Sequence, residues 1–265
     1  MRFFRPIAGL TGWQRFGFEV AIIVIGVGLA MLADQLITNA NRKAETRQAM
    51  QAVNSDLLFI LFYTSERMAI EPCRHEQVER LVARLDEDGE DWQAEAANFV
   101  NAPVNPMVLP QVLRTPIRNW PDGAWKALLA SDIAVYIDRD RFIELSGMFD
   151  VAREVRDLQT EALAIKGELA YLASPGMLEP AERRAAHAKI GRLSALEGLI
   201  TIHAGQSGDR VFRLEIDFSE MSDDAPDILE AIEAIAVLAR ETYGDCTDVS
   251  QFDRLKALFE DGEAP

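Results

Sequence analysis

The residues that could do chemistry are few, and they form no recognisable catalytic or metal-binding pattern. Of the three histidines, His75, His187 and His203, none belongs to an H-x-x-x-H or HExxH pair that could hold zinc on a helix. The Glu-x-x-His pairs of di-iron bundles are missing, as are the phosphate-binding glycine loops and the G-x-S-x-G and S-x-x-K nucleophile motifs. We therefore predict no catalytic residues, no metal site and no cofactor, and expect each histidine at the surface or a helix cap.

Cys73 and Cys246 are the only cysteines, and a bond between them would constrain the whole fold. An even number of cysteines favours a disulfide outside the cytoplasm, whereas cytoplasmic thiols stay reduced. The bond would close a loop of over 170 residues, which in the chain-entropy model contributes on the order of 5 kcal/mol. The alternative is two unrelated buried thiols. Because the bond would not persist in the cytoplasm, the disulfide and a periplasmic location are predicted together.

An apolar segment near the N-terminus predicts a transmembrane helix over residues 16–37. Its 22 residues, at about 1.5 Å each, span roughly 33 Å, close to the ~30 Å hydrocarbon core of a bilayer. Glu19 and Asp34 fall near its two ends, where a charge costs least. A cleavable signal peptide with its cleavage site near 28–30 is the alternative, but the apolar run continues to Ala33.

The flanking charges indicate an orientation. Arg2, Arg5 and Arg15 precede the apolar segment with no acidic residue before Glu19, which favours a cytoplasmic N-terminus. We expect a bacterial inner-membrane protein with a short cytoplasmic tail (1–15), a single transmembrane helix (16–37) and an acidic helical domain in the periplasm (38–265).

Small residues share one face of the predicted transmembrane helix. Gly26, Ala30 and Ala33 follow a spacing of four and three residues, with Asp34 beside them. Small side chains at this spacing let a second helix approach closely, and Asp34 could bond a partner or simply reach water. The face therefore predicts packing against another membrane protein or a second copy of this chain, within the lipid bilayer.

The charge balance of the remainder excludes one class of partner. Residues 38–265 hold 24 basic and 41 acidic residues, a net charge of −17. Such a domain repels nucleic acid, so DNA and RNA binding is not expected.

Hydrophobic periodicity predicts an all-α domain that continues from the membrane helix. Apolar residues from Met50 to Thr64 repeat every 3.5 residues, and Glu71-Pro72 is expected to end this first helix. Five prolines within 101–121 predict an extended segment over the domain. A long helix is predicted to begin at a cap formed by Asp138 or Asp140 and to run to about residue 173. It is expected to form an antiparallel hairpin with a helix over 180–203. Further helices are predicted over 74–86, 123–130, 225–243 and 249–260.

The stretch Arg210–Phe218 departs from this pattern. Phe212, Leu214, Ile216 and Phe218 alternate with polar residues, which is the period of a β-strand. We predict one short strand near 211–218, paired with the 101–121 segment, or a continuation of the helix.

Two blocks of the chain resemble a known family. The stretches FEVAIIVIGVGLAMLADQ and AWKALLASDIAVYIDRDRFIELSGMF, about a fifth of the chain, are similar to an uncharacterised bacterial family of single-pass membrane proteins with helical domains of unknown function. The resemblance implies the same fold and brings no catalytic residues.

These observations favour a membrane-anchored, non-catalytic interaction protein, such as an accessory, scaffold or assembly subunit of a membrane protein complex. The alternative is a periplasmic helical sensor or ligand-binding domain. Its signal would have to pass through a partner, because a tail of about 15 residues is too short for an output domain. An enzyme with an unrecognised site ranks third.

Overall fold

The computed structural model describes residues 12–87, 91–94, 115–214, 216 and 225–260, and over these the predicted all-α class is confirmed. The helices are α1 (Gly12–Asp86), α2 (Gly123–Leu129), α3 (Arg139–Glu168), α4 (Pro180–Arg213), α5 (Ala225–Tyr243) and α6 (Asp253–Glu260). Short 3-10 turns cover Ala134–Tyr136, Ala170–Ala173 and Val249–Phe252. Two-residue strands β1 (Asp91–Trp92) and β2 (Gly176–Met177) pair antiparallel.

Helix α1 is one continuous element of 75 residues, about 110 Å long at 1.5 Å per residue. The predicted break at Glu71-Pro72 is wrong, because Pro72 lies inside the helix. A proline there removes one backbone hydrogen bond and costs about 3 kcal/mol. Tertiary contacts on both sides offset this cost: the Ala69 carbonyl accepts a hydrogen bond from the Asp248 amide at 2.8 Å, and Cys73 is covalently tied to Cys246.

The N-terminal part of α1 is apolar and makes no contact with the rest of the domain. A window within it has a mean hydropathy of 2.3 and is 0% buried, so by length and composition it could cross a membrane. It is the one such helix among the residues that the structure describes. Most of the predicted tail, residues 1–11, lies outside them.

Helices α1, α3 and α4 form the body of the bundle, with α4 antiparallel to both of the others. On the α1 side, Thr64 contacts Ala204 while Arg84 contacts Arg183. On the α3 side, His203 contacts Glu154 while Lys189 pairs with Glu168, so the residue numbers again run in opposite directions. The predicted hairpin of the long helix with 180–203 is therefore confirmed as α3 and α4.

The core lies where these three helices meet, and the smaller elements close its ends. Its largest fully buried side chains include Leu57, Ile60 and Leu61 of α1, Phe149 of α3, Leu172 beyond it and Phe252 near the C-terminus. The Trp125 ring of α2 stacks on Phe149 with ring centroids 5.4 Å apart, which fixes α2 against α3. These residues follow the apolar periodicity of each helix.

Of the two alternatives predicted near 211–218, the strand is wrong for residues 211–213 and the helix is confirmed there, because α4 continues to Arg213. Ala204, Gly208 and Val211 are buried at intervals of four and three residues, so the helical period decides which side chains face the core. Ile216 is also buried, whereas residues 215, 217 and 218 lie outside the described part.

Candidate functional site

The face predicted for helix packing lies on the exposed part of α1. Gly26, Ala30, Ala33 and Asp34 are all exposed, and no atom lies within 4 Å of the position that a Cβ on Gly26 would take. Because residues three and four apart lie on one side of a helix, the four share a surface. The described part of the chain packs nothing against this surface.

The two cysteines are joined in the structure. Cys73 of α1 and Cys246, just beyond α5, form a disulfide with their Cα atoms 5.0 Å apart and a sequence separation of 173. Cys73 is fully buried. The bond ties the C-terminal part of α1 to the segment that follows α5, as the pairing of an even number of cysteines predicts.

A group of ionised side chains lies inside the bundle, and the sequence analysis assigned none of them to the core. We call Arg67, Glu71 and Arg74 of α1, Lys166 of α3 and Glu197 of α4 the buried charged cluster. Arg67, Arg74, Lys166 and Glu197 are each less than 9% exposed. Ionised groups leave water at high cost unless they are paired, so their mutual contacts decide whether the core is stable.

Glu197 is the centre of this cluster. Its Oε1 lies 2.7 Å from Lys166 Nζ and accepts a hydrogen bond from Thr115 Oγ1 at 2.9 Å. Its Oε2 forms an ion pair with Arg67 Nη1 at 2.5 Å but receives no directed hydrogen bond. One carboxylate thus joins cations from two different helices.

Thr201 connects the two halves of the cluster. Arg67 donates from Nε to Thr201 Oγ1 at 3.0 Å and from Nη2 to the Glu197 carbonyl at 2.8 Å. The Thr201 hydroxyl lies 3.0 Å from Glu71 Oε2, and Glu71 accepts two hydrogen bonds from Arg74, at 2.9 and 2.5 Å. The contacts therefore form a continuous network between α1 and α4.

The network shifts the pKa values of its members. Burial alone would raise the pKa of Glu197, but the charges of Arg67 and Lys166 and its hydrogen bonds outweigh burial and lower that pKa to about 2. Burial lowers the pKa of Lys166, although the Glu197 carboxylate acts in the opposite direction. Glu197 is thus held ionised at neutral pH.

A buried lysine beside a carboxylate resembles an acid–base pair, but this arrangement is closed. Lys166 and Glu197 are each 3% exposed, so a substrate has no route to either. Their polar atoms are directed at each other and at neighbouring side chains of the chain itself. The geometry favours a structural role in setting how α1, α3 and α4 dock.

The sequence did carry a signal for this cluster. The 3.5-residue repeat that runs from Met50 to Thr64, continued along the unbroken helix, reaches Arg67, Glu71 and Arg74. Those positions face the core, yet the predicted break at Glu71-Pro72 concealed the continuation. Charged residues at core positions of a helical repeat are a pointer to buried ion pairs.

The end of the predicted extended segment is held across the bundle by side chains. The backbone of Arg118 donates to Gln159 Oε1 at 3.0 Å and accepts from Gln159 Nε2 at 3.2 Å. Arg156 donates to the Trp120 carbonyl and pairs with Asp122. Residues 115–122 thus match the prediction for their part of 101–121, and residues 101–114 lie outside the described chain.

Each histidine places an imidazole nitrogen near a carboxylate; His75 and His187 are exposed, as predicted, and His203 is half-buried. His75, His187 and His203 lie within 4.0 Å of Glu79, Asp86 and Glu154 respectively. Within the described ranges, no group of three or more His, Cys, Asp and Glu side chains could hold a metal ion.

Comparison with known proteins gives no match to a protein-family model, to a curated protein or to a solved structure. The resemblance to the bacterial single-pass family therefore stays a prediction.

Proposed function

We propose that this chain is a membrane-anchored, non-catalytic interaction protein that serves a membrane protein complex as an accessory, scaffold or assembly subunit. The observation that carries the proposal is the continuity of α1. One helix runs from an exposed apolar segment into the centre of a compact bundle. A partner that binds the apolar segment would therefore fix the position of the whole domain.

Three features support a retained anchor in the bacterial inner membrane with a periplasmic domain. The apolar segment is exposed along its length, which favours a lipid environment. The helix continues without interruption past the point where a signal peptide would be cleaved. The disulfide between Cys73 and Cys246 suits an oxidising compartment.

The partner would bind the face of Gly26, Ala30, Ala33 and Asp34. Because this face lacks large side chains, a second helix can approach until backbone atoms are in contact. The partner is another membrane protein, with a second copy of the chain as the alternative occupant.

A periplasmic helical sensor that signals through a partner is the second candidate function. The unbroken α1 favours it as well, since a shift of the bundle on ligand binding would move the membrane segment with it. Thermal stabilisation of the domain by a small molecule would support this candidate over a purely structural subunit.

The test is isolation of the tagged full-length protein from its native membrane in mild detergent, followed by mass spectrometry of co-purifying proteins. We expect a stoichiometric membrane partner that is lost from the double variant Gly26→Leu/Ala30→Leu. Gly28→Leu is the matched control, because residue 28 is about 200° around the helix from Gly26. A partner-free preparation, or equal loss in the control, would contradict the proposal.

A further inference from the structure

A cavity of about 360 Å³ opens between the first turns of α3 and the last turn of α4. Its apolar walls are Ile143, Met148 and Leu214. Its volume falls within the range of known small-molecule sites, about 300–1,000 Å³. It lies away from the buried charged cluster and shares no residue with it.

Arg210 and Arg213 line one side of this cavity. Among the residues that the structure describes, their side chains make no ion pair or hydrogen bond, although the same helix carries paired cations such as Lys189 and Arg192. Glu144 also lines the cavity, so the lining carries a net charge of +1. A monoanion would balance that charge.

Gly147 keeps the floor of the cavity open. The Nη1 atom of Arg210 lies 3.8 Å from the position that a Cβ on Gly147 would occupy, so the guanidinium rests over the α3 backbone. A larger residue at 147 would direct its side chain towards Arg210 and into the cavity.

Helix electrostatics explains only part of this arrangement. Basic residues in a last turn interact favourably with the helix dipole, which accounts for Arg210 and Arg213 at the end of α4. It does not account for an adjoining cavity with three apolar walls. Guanidinium groups beside apolar surface are the usual way to bind an anion that has a hydrocarbon body.

We propose that this cavity binds a small organic monoanion, with its carboxylate held by Arg210 and Arg213 and its apolar body between Ile143, Met148 and Leu214. The site goes beyond the anchoring role and does not depend on it. A lipid that stays in the bilayer is out of reach, because α4 packs Gly208 on Thr64 and its last turn, which the antiparallel packing brings closer to the membrane segment, still lies about 30 Å along α1 from Ile37. The ligand therefore comes from solution.

The test is calorimetric titration of the full-length protein in phosphatidylcholine nanodiscs, with empty nanodiscs subtracted. Octanoate is the probe, and octylamine has the same chain with the opposite charge. We expect one octanoate per chain, weaker binding at higher salt and no saturable octylamine binding. The variant Arg210→Gln/Arg213→Gln should lower octanoate affinity by about tenfold or more, since charged hydrogen bonds are lost. Arg240→Gln on α5 is the matched control and should bind like the unaltered chain.

A second variant tests the cavity apart from the charges. Gly147→Leu keeps both arginines, has room for its Cβ and introduces a better helix former, so the bundle should stay folded by circular dichroism. It should abolish octanoate binding by filling the space. Absence of octanoate binding to the unaltered chain, equal binding of octylamine, or unchanged affinity in either cavity variant would overturn the proposal.

Discussion

Lys166 of α3 and Glu197 of α4 form an ion pair of 2.7 Å inside the helical bundle, out of contact with water. With Arg67 on the other side of the carboxylate, the pair sets the relative positions of three helices. Removing one member leaves the others charged in a medium that solvates them poorly. The effect on stability should therefore be large and specific.

Glu197→Gln is expected to lower the free energy of unfolding by about 3–5 kcal/mol, because Arg67 and Lys166 lose the carboxylate that neutralises them. Urea unfolding of the full-length protein, followed by circular dichroism, measures the change. Glu161→Gln is the control, since its ion pair with Arg192 is exposed. Exposed pairs contribute little, so its unfolding midpoint should barely move. Equal midpoints for the two variants would contradict the structural role of the cluster.

Stability should fall in acid because of the same residue. The pKa of Glu197 is lowered from its usual 4.5 to about 2 in the folded protein, so its contribution is complete above pH 4.5 and disappears as the pH falls towards 2. A difference of this size corresponds to about 3 kcal/mol at neutral pH. Urea midpoints measured between pH 7 and pH 2 should fall less steeply for Glu197→Gln than for the unaltered chain. If the urea midpoints of Glu197→Gln and of the unaltered chain fall equally with pH, groups other than Glu197 cause the acid sensitivity.

Loss of the disulfide should destabilise the domain without abolishing its helices. The double variant Cys73→Ser/Cys246→Ser removes a crosslink between residues 173 apart, for which the chain-entropy model gives about 5 kcal/mol. In urea unfolding, reductant should lower the free energy of unfolding of the unaltered chain and leave that of the variant unchanged. Thiol titration of the native, unreduced protein should find no reactive cysteine. Two titratable thiols would show that the bond does not form.

The approach of α4 to α1 should depend on one missing side chain. A Cβ on Gly208 would lie 2.7 Å from Thr64 Cγ2, which is too close for either helix to accommodate without moving. Gly208→Ala is expected to lower the free energy of unfolding by about 1–3 kcal/mol. At Gly205 the nearest atom is Met68 Sδ at 3.6 Å, so Gly205→Ala should be neutral or stabilising.

A compensating change can confirm the cause. Thr64→Ser removes the offending Cγ2 atom but keeps the hydroxyl that donates to the Ala204 carbonyl. The combination with Gly208→Ala should therefore recover part of the lost stability in the same urea measurement. Additive losses from the two substitutions would point to a different origin.

The sequence could predict elements whose side chains repeat with a helical period. Helix α5 begins and ends at the residues predicted, Ala225 and Tyr243, because its apolar positions recur at helical spacing along its whole length. The long helix begins after Asp138, whose side chain accepts from the amides of Asp140 and Arg141. Such signals are local, so one stretch of sequence contains them completely.

The errors arose where distant contacts override local preference. Pro72 disfavours a helix, yet α1 stays helical through it, with contacts to residues 246–248 on both sides of the proline. The alternation around Phe212 suggests a strand, yet the burial of Val211 against the bundle keeps that stretch helical. The buried charged cluster was missed for the same reason, since Arg67 and Glu197 are 130 residues apart and only the fold makes them partners.

The position of α1 at the start of the chain has a consequence for biosynthesis. Its core side chains, among them Val53, Leu57 and Leu61, are fully buried, and the element on which α1 packs most extensively is α4, which is made more than 100 residues later. The crosslink at Cys73 forms later still, because Cys246 follows it at a sequence separation of 173. The newly made chain therefore carries an uncovered apolar helix until α4 has been made, and a chain truncated near residue 240 would lack the disulfide.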